Sequence, residues 1–420
     1  MSYSTQMIEA IQNEELGLAS ELLLQAIDSD PDEELYALIE TLYDLGFLNE
    51  TKEVVTELLT RYPEDDGLKL TLAEIAIEEG DELEAFEWLN KVEPDSPFYV
   101  QSLLVSADYY QTLELPEVSK EKLIEAKTLL PEEPVIDFAL GELLFTSGKY
   151  KEAIPYYENL LMSHHLEFAG TSIYGRLGSA YGIIGDLGNA IDYMTEAVDM
   201  QESTDHLFQL GYLYFTNENY TRSTELFNKV KEQDPSYTSV YVYLAKGYLE
   251  QNDEEAALKV VDEGRFYDKE NPSLYIVGAE ASLAKGDTEA AETFYKKAME
   301  RDPENLTLTL HLSNLLIEQE RFQEALDIME MPLEAGEDDP QLYWNSAKAY
   351  NHEEDFYKAR ENYEKAYYSL KDSPEFLKDY AVFLREEGDR EGFIKLSERY
   401  LTLRPDDLEV LEWVNNEELY

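Results

Sequence analysis

Any chemistry in this chain would have to start from a few constellations. Asp28, Asp30 and Asp32 alternate like the opening ligands of a calcium loop. Glu33 stands where such a loop needs its turn glycine, Pro31 interrupts it, and Ile39 replaces the closing bidentate glutamate. The triplet therefore reads as a helix end followed by acidic residues at the next helix N-terminus, where the helix dipole favours them. A phosphate cradle needs GxxxxGK followed by serine or threonine; Gly148-Lys149 is followed by Tyr150 and lacks the upstream glycine. Gly178, Ser179 and Gly182 have the wrong spacing for a nucleophile elbow and fall inside a helical pattern. His164 and His165 are adjacent, so on a helix they would not face each other; His206, His311 and His352 stand alone, outside any HExxH or ExxH pairing. With no cysteine, thiol nucleophiles, zinc thiolates and disulfides are excluded. The expectation is a chain without catalysis, cofactor or metal.

The elements that carry these residues are paired helices. In Ser273–Pro303, SLYIVGAEASLAKGDTEAAETFYKKAMERDP, apolar residues at helical period fall into two runs broken at Gly286-Asp287, where glycine can adopt the left-handed conformation that ends a helix. Pro303 should stop the second helix. Small Gly278, Ala279, Ala291 and Ala298 alternate with large Tyr275 and Tyr295, a pattern that lets neighbouring helices interlock. The unit recurs at about 34 residues. Small residues inside the first helix are Ala73, Ala107, Gly141, Gly178, Gly211, Ala245, Ala279, Ala347 and Ala381. Turn residues are Gly80, Gly148, Gly185, Gly286 and Gly388, with Asn252 in one copy, and breaks close the copies at Pro31, Pro63, Pro131, Pro235, Pro303 and Pro405. A helix–turn–helix period of this length with these fingerprints resembles the tetratricopeptide repeat (TPR) family, in about twelve copies. Within it, SPFYVQSLLVSADYYQ and EVSKEKLIEAKTLLPEEPV resemble the YpiA-type bacterial TPR proteins. The fold class this implies is all-α, a right-handed superhelical solenoid of antiparallel helix pairs.

Uniform repetition overrides the two or three globular domains that 420 residues would suggest, because a solenoid grows without one compact core. Three stretches are expected: residues 1–165 with copies one to five, 166–303 with copies six to nine, and 304–420 with copies ten to twelve and a capping helix. The extra residues of MSHHLEFAG (Met162–Gly170) predict a longer surface loop or a slight hinge. Pro332 stands where copy ten should have a small residue and predicts a kinked or shortened helix. Leu408, Leu411 and Trp413 in the last segment are placed to cover the end of the stack. MSYSTQMIEAIQNEE lacks the basic and apolar regions of a signal peptide, and no apolar run approaches the ~20 residues that span a bilayer, so a soluble cytoplasmic protein is expected.

Charge narrows the partners. Against 33 basic residues stand 91 acidic ones, a net charge of −58. Such a polyanion is repelled by nucleic acid and anionic membranes and attracts proteins with basic surfaces. The same charge also keeps an elongated surface solvated.

The TPR resemblance implies that first helices line a concave groove and that contacts come from their second, fifth, ninth, twelfth and thirteenth positions. In copies two to five the ninth positions are Glu40, Glu74, Asp108 and Glu142, and the fifth are Tyr36, Leu70, Leu104 and Phe138. Twelfth positions include Tyr43, Ile77 and Phe145; copy seven adds Phe208, Tyr212 and Phe215. The basic clamp with which some TPR domains hold chaperone C-termini is not reproduced: Lys378 at a fifth position is followed by Val382 at the ninth, Asn314 at a ninth is preceded by Leu310 at the fifth, and Lys246 and Lys348 are isolated. The expected function is a non-enzymatic interaction scaffold whose acidic, apolar-floored groove takes a basic protein or peptide segment, with nucleic-acid-handling (transcription) machinery one class of partner. The alternative is a regulatory adaptor holding a folded enzyme by its convex or edge surface.

Overall fold

The computed structural model describes residues 1–418. Among them the chain forms twenty-five helices and one two-stranded hairpin, the expected all-α architecture of consecutive antiparallel pairs. It divides into two compact units, Met1–Gln201 and Glu202–Tyr420. Each holds six helix pairs, and the second continues into the helix Leu408–Glu418. No described helix is long and apolar enough to cross a membrane.

The pair Pro272–Ala284 and Thr288–Met299 shows how the sequence makes the unit. Gly286 turns the chain at φ +81°, and the Asp287 side chain accepts from the Ala290 N–H at 3.0 Å, capping the second helix. That helix ends at Met299, ahead of Pro303. Between paired helices, small faces large. A Cβ added to Gly141 would fall 2.7 Å from the Tyr157 ring, and one on Gly211 would fall 2.8 Å from Phe227. At these copies the large side chain seals the seam because the first helix keeps none.

Every one of the twelve pair turns contains one left-handed residue, but only six are glycines. Asn252 fills one turn, and Glu14, Glu114, Glu218, Glu320 and Glu354 fill the remaining five, at φ between +57° and +61°. A Cβ in this region costs on the order of 1–2 kcal/mol. Replacing Glu218 by glycine should therefore stabilise the second unit by about 0.5–1 kcal/mol once the greater freedom of glycine in the unfolded chain is subtracted. A raised urea midpoint with an unchanged slope would register this gain.

Three local expectations change. Residues 162–170 do not form a plain loop: Glu167–Phe168 and Thr171–Ser172 pair as a minimal antiparallel hairpin across Ala169 and Gly170, both left-handed. Pro332 does not shorten its helix, which runs from Phe322 to Ala335 and ends on Gly336 at φ +86°, with Pro332 buried. Leu408 is 76 % exposed, and the last helix is seated instead by Val410, 2 % exposed, and Val414, one turn apart, with Leu411 and Trp413 half-buried. Lys378 and Arg385 lie 5.6 and 5.3 Å over the Trp413 ring.

That helix is also anchored electrostatically. Asp407 accepts from the Tyr400 hydroxyl at 2.6 Å and Lys378 Nζ at 3.0 Å, which hold its carboxyl down at about 2. A depressed folded-state pKa stabilises above the ordinary carboxylate range and loses that contribution as pH falls through the folded value. Acidifying from pH 5 toward 2 should release Leu408–Glu418 before the rest of the unit, read as a change in Trp413 emission that Asp407→Asn already shows at neutral pH.

Two buried groups specify the second unit. Tyr363 is 1 % exposed, stacks on Tyr380 with centroids 4.8 Å apart, and donates to Asp379 Oδ2 at 2.8 Å, which also accepts from Trp344 Nε1 at 2.6 Å. Asn345, fully buried, donates to Ser313 Oγ at 2.9 Å and Asn314 Oδ1 at 2.8 Å, and accepts from Gln341 Nε2 at 2.8 Å.

Candidate protein-binding face

Within each unit the first helices of several successive pairs touch: Tyr3–Gln12 meets Asp32–Asp44, Asp66–Glu79 meets Tyr99–Thr112, and Ser239–Glu250 meets Pro272–Ala284. Residues at i, i+4 and i+7 on such helices share a side, so the fifth, ninth and twelfth positions of each first helix lie on one side of it.

In the first unit Tyr36 and Tyr43 are half-buried and fixed by their hydroxyls, which donate to Asp65 at 2.6 Å and Glu78 at 2.8 Å. Burial and these carboxylates push both phenols well above their ordinary range. Glu40 and Asp108 are exposed, and Leu104 is half-buried. Leu70 is 2 % exposed and packs with Ala73 and Leu89, so it belongs to the seam between helices. Glu74 is half-buried and, among the described residues, neither hydrogen-bonded nor ion-paired; burial, reinforced by the charge of Glu78, pushes its carboxyl up. An unpaired carboxylate withdrawn from water is a free-energy cost that a cation would remove.

The fourth carboxylate differs. Glu142 already accepts a two-pronged contact from Arg176, Nε to Oε1 at 2.8 Å and Nη2 to Oε2 at 2.7 Å, and a bond from the Tyr157 hydroxyl at 2.6 Å. Burial and Glu142 push the Tyr157 phenol up. Phe138 stacks under Phe168 of the hairpin, and Phe145 lies 4.8 Å beneath the Arg176 guanidinium. The unpaired acid thus spans copies two to four. Glu142 is a ninth position and Arg176, two residues before Gly178, a sixth, so comparing equivalent positions of adjacent copies does not reveal the pair.

In the second unit Phe208, Tyr212 and Phe215 are gathered around Tyr243 of the next first helix, with centroids 5.8, 5.2 and 5.9 Å from it. Tyr212, 44 % exposed, is the most open of the three. Tyr243 was not singled out in the sequence because one aromatic at helical spacing looks like core. This face carries cations, Lys348 at a ninth position and Lys378 at a fifth. Lys348 lies 4.6 Å over Trp344 with its amine pushed down by burial, against the opposing pull of Asp379 and Glu318. Lys378 is committed to Asp407 and Glu409. Among the described residues no group of three or more His, Cys, Asp or Glu side chains is arranged to hold a metal.

Family models match along the chain: "YpiA-like, tetratricopeptide repeats" at residues 111–165, "YpiA-like, C-terminal tetratricopeptide repeats" at 340–407, and tetratricopeptide repeats at 171–204, 207–237 and 282–349. The chain is 31 % identical over 372 residues to TPR repeat-containing protein YpiA of Bacillus subtilis (strain 168), spanning 89 % of this chain and 88 % of that protein. Among solved structures it is similar to the C-terminal part of a TPR repeat-containing protein from Cytophaga hutchinsonii (TM-score 0.47, 19 % identity, 56 % of this chain and 96 % of that one). It is also similar to YrrB, described as a TPR protein with an unusual peptide-binding site (TM-score 0.40, 19 % identity, 45 % and 97 %).

Proposed function

The chain belongs to the YpiA-like tetratricopeptide-repeat proteins, and from that premise we propose that it is a non-enzymatic scaffold whose first-helix face in Met1–Gln201 captures a basic segment of another protein. Tetratricopeptide repeats are protein-interaction scaffolds, so the open question is what the face selects. Glu74 carries the proposal: a half-buried carboxylate without an internal cation, flanked along the face by exposed Glu40 and Asp108. Tyr36, Tyr43 and Leu104 supply the apolar ground beside it, suited to a segment that alternates Lys or Arg with apolar anchors. The chain's net charge of −58 steers such partners toward it and rejects nucleic acid and anionic membranes. Proteins that handle nucleic acid, such as transcription machinery, carry surfaces of this kind and are the partner class the charge favours.

Affinity purification on the immobilised chain at 50 mM and 500 mM salt, followed by mass spectrometry, tests this reading. Basic proteins retained at low salt and shed at high salt are expected, because exposed ion pairs are screened. Partners that are acidic, or held equally at both salts, would overturn it.

A further inference from the structure

Copy five displays, filled by the chain itself, what a first-helix face can hold. On Pro134–Thr146 the residues Phe138, Glu142 and Phe145 stand at i, i+4 and i+7. Phe168 lies on Phe138 with centroids 4.7 Å apart and planes at 25°. Arg176 engages both oxygens of Glu142, and its guanidinium carbon sits 4.8 Å over the Phe145 ring. The occupants are an aromatic ring and a planar cationic fork.

The helix Asp32–Asp44 repeats this trio as Tyr36, Glu40 and Tyr43, with the same residue classes at the same spacing. Its rings are held in place by the bonds to Asp65 and Glu78. Glu40 is exposed and, among the described residues, accepts no hydrogen bond or ion pair. Counted from the small residues Gly178 and Ala73, the place of Arg176 corresponds to Thr71 in the copy after Glu40, while Glu74, one turn further on, has no hydrogen-bond or ion-pair partner among the described residues. Copy two therefore keeps the acceptor and the rings of copy five, with the uncharged Thr71 where copy five meets its own arginine.

We infer that the Tyr36–Glu40–Tyr43 face is a seat for an arginine of the partner, its guanidinium flat over Tyr43 and forked onto Glu40, with Glu74 behind it and an apolar partner residue against Tyr36. This rests on the acidic face being the capture surface and names the residue it selects. Lysine is the poorer guest: its compact ammonium neither pairs with a carboxylate in two parallel bonds nor stacks as a plane. Arg176 closes the series at copy five, so the partner is read by copies two to four.

Two fluorescein-labelled peptides of equal charge test this, one with three Phe-Ala-Arg-Ala repeats and one with three Phe-Ala-Lys-Ala repeats, titrated with the full chain and followed by anisotropy. The arginine peptide should bind about tenfold more tightly, the preference of a carboxylate for a fork over a point charge. Glu40→Gln should erase that preference. Arg176→Ala, which exposes Glu142 and Phe145, should raise the stoichiometry from one peptide to two. Equal binding of both peptides, each weakened by Glu40→Gln, would overturn the arginine seat and leave the acidic capture face standing. An unchanged stoichiometry in Arg176→Ala would overturn the correspondence between the two faces. Binding by neither peptide, or binding indifferent to Glu40→Gln with Glu74→Gln, would overturn the capture face as well.

Discussion

Replacing Tyr363 by alanine should cost the second unit about 3–5 kcal/mol, the range for deleting a large, fully buried aromatic. The ring is enclosed by Phe376, Tyr380 and Phe383, with centroids 6.2, 4.8 and 4.9 Å away, so its removal leaves a cavity that three rigid side chains cannot close. The hydroxyl contributes separately. Tyr363→Phe keeps the packing and removes one donor from Asp379, which retains the Trp344 indole, so a loss of about 1 kcal/mol is expected. Urea denaturation followed by near-ultraviolet circular dichroism measures both. Because a repeat array need not unfold in one step, the transition assigned to Glu202–Tyr420 is the one to compare. A phenylalanine variant as damaged as the alanine one would mean that the hydrogen bonds to Asp379, rather than the ring, hold this region.

The second large effect is on binding. Glu40→Lys combined with Glu74→Lys should weaken capture of a basic partner by roughly a hundredfold, since two attractive contacts become repulsive at about 1–2 kcal/mol each. Helicity should be unchanged, because among the described residues neither side chain is hydrogen-bonded or ion-paired. Glu74→Gln is the informative companion. A carboxyl whose folded-state pKa is raised stabilises the fold while protonated and loses that contribution as pH rises through the folded value. At neutral pH Glu74 therefore weighs against the fold, and glutamine should raise the melting temperature while lowering affinity. Two changes of the same sign would show that Glu74 is an ordinary surface residue.

The periodic parts of this molecule were legible in the sequence. Gly286 and its counterparts announce the turns because few residues fit a left-handed conformation, and Ala279 or Gly211 announce the seam because large side chains cannot pass there. The five turn glutamates were not legible. Nothing in the chemistry of glutamate favours a positive φ, and the position is dictated by the helices on either side. Leu70 and Leu408 show a second limit: a repeat position fixes the side of a helix, whereas burial depends on the neighbour's size. Trp88 packs against the cluster that holds Leu70, and the shorter Val410 seats the last helix in place of Leu408. The pairing of Glu142 with Arg176 lies between these cases. Each residue was visible, but they occupy different repeat positions, a ninth and a sixth, so the period alone did not announce their meeting.

Asn345 has a consequence for how the chain finds its fold. Modules this similar can stack on the wrong neighbour, and apolar seams alone discriminate poorly between them. The buried amide of Asn345 is met by Ser313 and Asn314 of Leu306–Glu318, whereas the corresponding residues are Ala279-Glu280 and Ala245-Lys246 in the two copies before it. Docked against Ala245-Lys246, which offers the amide N–H groups no side-chain acceptor, Asn345 would lose this hydroxyl–amide receptor, at about 1–3 kcal/mol for a buried group left unsatisfied. A single side chain thus works as an address label, making the order of assembly of otherwise interchangeable modules a matter of polar complementarity.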